Sequence, residues 1–188
     1  PTGRTEEMSA TEQTDKFQPI IDFPNFLLVV LKITRMEYGN LVPTEFILDD
    51  KELLNEFAKA LSCCGDKAAF ARRFAFNLLK AKYFLDNYII HHSLNDKEQT
   101  GDNPWKLQCY YLETKRKRYP KNLSATPYIQ RELVHLLSMF EVTFTPKQRK
   151  NYLFYCLAYL FDTDEPTGSE YLEFLQCLAD KYFYDVYL

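Results

Sequence analysis

Apolar residues along this chain recur mainly three and four positions apart, in blocks divided by short polar turns, which is the periodicity of amphipathic helices. Residues 1–16 stand outside that pattern: they are polar, mixed in charge and without period. They read as a linker or terminus, with 1–19 preceding a single helical domain over 20–188. The spacing predicts a first helix over 23–37, opened by Asp22 as cap and Pro24 in the first turn. This stretch is apolar nearly all round, so it is expected to be the most buried helix. Gly39-Asn40 closes it, and Val42-Pro43 imposes an extended connection.

Asp49-Asp50-Lys51-Glu52 reads as a second helix start, with Asp49 as cap and Glu52 at the capping-box position. Leu53, Leu54, Phe57 and Leu61 follow at helical spacing, and Gly65 is expected to supply a left-handed stop. Asp66 then caps a helix predicted over 67–93. Phe70, Phe74, Leu78, Ala81, Leu85, Tyr88 and Ile89 would line one face of it, and Arg72, Arg73, Lys80 and Lys82 the remainder.

Beyond this the pattern breaks. Residues 95–104 are polar and turn-rich, 105–112 show neither a stripe nor clean alternation, and 113–124 form a basic loop. Residues 105–112 fit either a short strand or an irregular extended stretch. Thr126-Pro127 and Thr145-Pro146 each set a capping hydroxyl before a proline, so helices are predicted from there to about 142 and 161. Thr167-Gly168-Ser169-Glu170 opens the last one with a capping box, and Leu172, Leu175, Leu178 and Phe183 continue it. The expected fold is therefore all-α: a bundle of about six helices, with one long irregular basic excursion over 94–125 and no sheet.

Composition narrows the chemistry. Apolar residues are 46% and charged ones 26% of 188 residues, which places the chain among globular domains. Glycine occurs five times, at 3, 39, 65, 101 and 168, and no two lie closer than 26 residues. Gly-rich phosphate loops and G-x-S-x-G elbows are thereby excluded. Aromatic residues, at 16%, are abundant instead and fall largely on the predicted helical faces.

Five cysteines, at 63, 64, 109, 156 and 177, show no C-x-x-C spacing. An odd count with one vicinal pair fits reduced thiols in a cytoplasmic protein better than a disulfide framework or zinc ribbon. Cys156 and Cys177 are expected on apolar helical faces. The apolar run between Asp22 and Lys32 falls far short of the roughly 20 residues of a membrane helix. No apolar h-region precedes it, and the polar start without Met reads as an excised piece of a longer polypeptide.

Histidines and carboxylates offer no catalytic grouping. His91 and His92 are adjacent, so on a helix they diverge by about 100° and cannot grip one metal together. They read as polar residues at a helix end, and His135 as a half-buried structural residue on an amphipathic helix. Asp162-x-Asp164-Glu165 resembles the opening of a calcium loop, and Glu173 fills its twelfth place. Pro166 and Thr167, however, occupy the fifth and sixth places, where a side-chain ligand and glycine belong, so a solvated interhelical loop is the better reading. No catalytic residue, cofactor or metal is expected of this segment.

Charge is distributed unevenly. The net charge is −3, but residues 106–150 carry a local +7 and 161–188 a local −6. At the centre of the basic region stands Lys115-Arg116-Lys117-Arg118-Tyr119-Pro120-Lys121. Clustered cations attract phosphates, and Tyr110, Tyr111 and Tyr119 could stack on bases, so Lys115, Arg116, Lys117, Arg118, Tyr119 and Lys121 are the candidate nucleic-acid contacts. The other readings of the run are a solvated loop and a patch that docks on acidic surface of the parent chain.

Four blocks closely resemble the helical region of GmrSD-type restriction proteins. They are Ile20-Ile21-Asp22-Phe23-Pro24-Asn25-Phe26-Leu27-Leu28, Leu48-Asp49-Asp50-Lys51-Glu52-Leu53-Leu54-Asn55-Glu56-Phe57, Tyr83-Phe84-Leu85-Asp86-Asn87-Tyr88-Ile89-Ile90 and Leu136-Leu137-Ser138-Met139-Phe140-Glu141-Val142-Thr143-Phe144. The resemblance implies a multidomain bacterial defence protein with a ParB-like nucleotide-hydrolysing domain, a helical middle and often an HNH nuclease. Neither catalytic motif occurs in this chain: Gln130-Arg131 has no preceding Asp-Gly, and no His-centred nuclease motif can be assembled. On this resemblance the chain is expected to be a non-catalytic helical domain that couples neighbouring domains of its parent and contacts DNA. The alternative is a protein–protein scaffold or oligomerisation module, pairing with those neighbours or a second copy, without DNA.

Overall fold

Asp22 starts the first helix as its chemistry requires: its carboxylate accepts the backbone N–H of Asn25 at 2.9 Å, and Pro24 stands in the first turn. The computed structural model describes residues 17–18, 20–39, 46–93, 105–114, 117–143 and 146–187. In chain order these form β1 (Phe17–Gln18), α1 (Phe23–Glu37), a 3-10 turn (Asp50–Glu52), α2 (Leu53–Ser62), α3 (Lys67–Tyr88), β2 (His91–Ser93) and β3 (Trp105–Lys106). There follow β4 (Gln108–Thr114), β5 (Lys117–Asn122), α4 (Pro127–Thr143), α5 (Pro146–Thr163) and α6 (Gly168–Tyr187). The six helices make the all-α bundle that the periodicity predicts.

α1 is apolar all round because it feeds two cores at once. Phe26, Val29, Val30 and Ile33 belong to the larger, shared with α3, α4, α5 and α6, while Leu28 and Leu31 close a smaller one with Phe46, Ala60 and Phe70. Even Lys32 lies within, its ammonium 4.1 Å from the centroid of Phe154, and burial lowers its pKa. A polar seam locks α1 to α3. The fully buried amide of Asn77 donates to Thr34 Oγ1 at 3.0 Å and to Glu37 at 2.7 Å, and Arg73 holds the same carboxylate at 2.8 Å. Burial alone would raise the pKa of Glu37, but the hydrogen bonds from Arg73 and Asn77 outweigh it and hold the carboxyl below its ordinary value.

Several expectations change. α2 ends with Cys63 still in the right-handed helical region, and the left-handed glycine is Gly39, with φ +66°, not Gly65. α3 stops at Tyr88 because Ile89 turns extended and, with Ile90, is buried to within 1% in the main core. His91 and His92 therefore sit on strand β2, where successive side chains take opposite faces, not at a helix end. The ring of His92 meets Trp105 edge-on at 5.2 Å. β1 and β3 flank β2 antiparallel, pairing Phe17 with Ser93 and His92 with Trp105, so 17–18 are strand within a stretch that reads as linker. Cys156 is buried as expected, whereas Cys177 is exposed on α6; all five thiols are free.

The loop from α5 to α6 is tied to α3. Asp164 and Glu165 both take positive φ, 51° and 61°, which non-glycine residues seldom adopt. Lys80 pairs with Asp164 at 3.0 Å, the hydroxyl of Tyr83 donates to Glu165 at 2.7 Å, and Pro166 is buried beneath. The calcium-like run is thus an interhelical loop whose acids pair with α3. Among the described residues, no group of three or more His, Cys, Asp or Glu can hold a metal ion. Nor is any helix among them long and apolar enough to cross a membrane.

α6 begins with the capping box read from its sequence. The backbone N–H and hydroxyl of Thr167 both donate to the Glu170 carboxylate, at 2.8 and 2.7 Å, and the Glu170 N–H returns to Thr167 Oγ1 at 3.4 Å. Thr167→Ala is expected to cost about 1 kcal/mol of stability in chemical denaturation. A variant as stable as the parent would show that the cap contributes nothing.

Candidate nucleic-acid interface

Residues 117–121 of the basic run lie on β5, one strand of a β-hairpin. β4 and β5 pair antiparallel in the register Gln108–Asn122, Cys109–Lys121, Tyr110–Pro120, Tyr111–Tyr119, Leu112–Arg118 and Thr114–Lys117, with an irregularity between Leu112 and Thr114. The stretch over 113–124 that reads as a loop is thus largely strand. Pro120 argues against a strand in the sequence, but both strands of a two-stranded hairpin have an outer edge where a missing N–H is tolerated.

Of the predicted contacts, Lys115 and Arg116 lie outside the described residues. Lys117, Tyr119 and Lys121 occupy alternate positions of β5, and Arg118 the position between the first two. Lys121 is exposed.

The base of the hairpin is fastened to the bundle. Leu107, immediately before β4, is 1% exposed in the main core. Gln130 of α4 bridges both ends of the arm: its Nε2 donates to the carbonyl of Leu107 at 2.7 Å, and its Oε1 accepts the N–H of Ser124 at 3.0 Å. Cys109 adds a third tie, its thiol donating to the carbonyl of Asn87 at 3.2 Å at the end of α3. Burial raises the pKa of that thiol, with nearby Lys121 opposing, so Cys109 serves as a donor and not as a nucleophile. The segment after β5 also runs close to α6. A Cβ at Gly168 would stand 2.9 Å from that of Ser124, which leaves room only for glycine there.

Beside the base of the arm is a groove of about 320 Å³ lined by Asn122, Ser124, Pro127, Gln130, Arg131 and His135, among others. It joins β5 to the N-terminal end of α4, where exposed N–H groups favour anions. Arg131 lies 5.6 Å over the ring of Tyr128, and Glu132 approaches both Arg131, at 3.6 Å, and His135, at 3.9 Å. The carboxylate partly offsets the charge of Arg131. His135 is exposed here, not half-buried. Sequence reasoning misses Arg131 and His135 as candidates, although their spacing of four on an amphipathic helix is a usable signal.

Strongly displaced titrations lie elsewhere. Burial pushes the Cys156 thiol up to about 12 and raises the Tyr171 hydroxyl well above its usual range, and both groups are enclosed in the core. These are consequences of packing and mark no reactive cleft. Against family models, curated proteins and solved structures the chain finds no match.

Proposed function

We propose that this chain is a non-catalytic helical module that holds a basic hairpin against the phosphate backbone of DNA, as the coupling region of a GmrSD-like restriction or antiphage protein. One observation carries the DNA reading: the sequence holds four consecutive cations, Lys115 to Arg118, from just after the end of β4 at Thr114 into the start of β5, and the base of this arm is fixed at both ends by Gln130. A mounted cationic arm can track a phosphate chain without reading bases, and the groove lined by Arg131 extends the path onto α4. The restriction-protein context rests on the four sequence blocks alone. The polarisation of the chain, +7 over 106–150 against −6 over 161–188, favours a second reading in which the arm docks on acidic protein surface.

Fluorescence anisotropy with a labelled duplex separates the two. The chain is expected to bind at low salt, with log affinity falling against log salt by about 0.9 per neutralised phosphate. Alanines at 115–118 should flatten that slope and weaken every duplex sequence alike. Binding that ignores salt, or survives the four alanines, would exclude the arm as the contact; no binding at low salt favours the protein-docking reading.

A further inference from the structure

α3 turns one face into the bundle and leaves the opposite face open along its length. At about 100° per residue, Ala68, Arg72, Ala75, Leu79 and Asp86 fall on one stripe, flanked by Phe76, Lys82 and Tyr83. Leu79 is 73% exposed, Phe76 56% and Tyr83 46%, and Ala68, Arg72 and Ala75 are exposed with them. Scattered exposed apolar residues are ordinary, but a continuous helical stripe with charges at its ends is the mark of an interface.

The stripe has a direction. Alanines and a cation occupy its first half, whereas Leu79, the ring of Tyr83 and the carboxylate of Asp86 occupy its second. Such a gradient is complementary to itself only when reversed. We propose that α3 pairs antiparallel with α3 of a second copy of this chain, across a two-fold axis at Leu79. Positions equidistant from Leu79 then oppose one another. Ala75 lies beside Tyr83, whose hydroxyl keeps its bond to Glu165, Arg72 meets Asp86, and Leu79 packs on its own copy. Small faces large and guanidinium faces carboxylate, each of these pairs occurring twice, as a closed isologous interface requires. Asp86 already accepts from Lys82 within its own helix and keeps 46% of its side chain exposed, so a second cation can reach it.

Sedimentation equilibrium of the 188-residue chain tests this, with circular dichroism to verify folding. The parent is expected to dimerise. Arg72→Glu and Asp86→Arg each oppose like charges twice in a homodimer, so each alone should weaken association about tenfold or more. Mixed, the two variants regain both ion pairs in a heterodimer, and dimer mass should return. Leu79→Glu sets two carboxylates on the axis and should leave a folded monomer. A parent that stays monomeric assigns the stripe to another occupant and overturns the proposal. A dimer indifferent to Leu79→Glu, or a mixture that remains monomeric, overturns it equally.

Discussion

Glu56→Ala is expected to destabilise the chain by about 3 kcal/mol, because it takes a buried carboxylate away from a guanidinium that is itself nearly buried. The Glu56 side chain is 2% exposed; its carboxylate accepts from Arg35 at 3.2 Å and from Lys59 at 2.6 Å, and Arg35 itself is only 12% exposed. The guanidinium lies 5.8 Å from the centroid of Phe46, beside the smaller core. Lys59 is 57% exposed and regains solvent when Glu56 is removed, whereas Arg35, at 12%, loses a buried charge-assisted hydrogen bond. Urea denaturation followed by circular dichroism should show a lower midpoint with an unchanged slope. Replacing both partners, as Arg35→Met with Glu56→Leu, should be nearly neutral or stabilising, since the apolar pair leaves no charge behind. A single variant that loses less than about 1 kcal/mol would mean the guanidinium finds water, and the assignment of a buried pair would fail.

Phe84→Ala should cost a comparable amount, about 3–5 kcal/mol, for a different reason. Phe84 is 1% exposed and joins α3 to α5, meeting Phe161 at 5.6 Å and Tyr88 at 5.8 Å, both edge-on. Tyr88 in turn meets Tyr171 at 5.8 Å, and Tyr171 stacks with Phe174 on α6. Truncation opens a ring-sized cavity lined by rigid aromatic groups that cannot collapse into it. Phe84→Leu, which keeps most of the volume but loses the edge-to-face contacts, is expected to cost about 0.5–1.5 kcal/mol. Should thermal denaturation rank the two substitutions equally, lost volume would not be limiting and the cavity account of Phe84→Ala would fail.

Helix starts are legible because caps are local chemistry. Asp22, Asp66 and the Thr167–Glu170 box each act within three residues, and each is found where the sequence places it. Choices that depend on distant partners are not legible. On α2, Leu54 fits the apolar spacing yet is 81% exposed, while Glu56, two residues on, is 1% exposed because Arg35 waits on α1. Periodicity picks the face of α3 that the bundle covers, with Phe70, Phe74, Leu78, Ala81, Leu85 and Tyr88 all in or against the cores, but it cannot stop that helix at Tyr88, since the reason is a place in the core for Ile89 and Ile90. The candidate site divides the same way. A run of cations is visible in composition, but its mounting rests on Gln130 reaching Leu107, 23 residues away in sequence.

That mounting makes the hairpin a lever, with its fulcrum at a single amide. Gln130 uses one donor and one acceptor on the two ends of the arm, so a load applied at the tip does not dissipate along a slack loop. It enters the first turn of α4, and from there α6, along which α4 packs and whose first residue abuts Ser124. Gln130 and the Ser124–Gly168 approach therefore join the base of the arm to both α4 and α6.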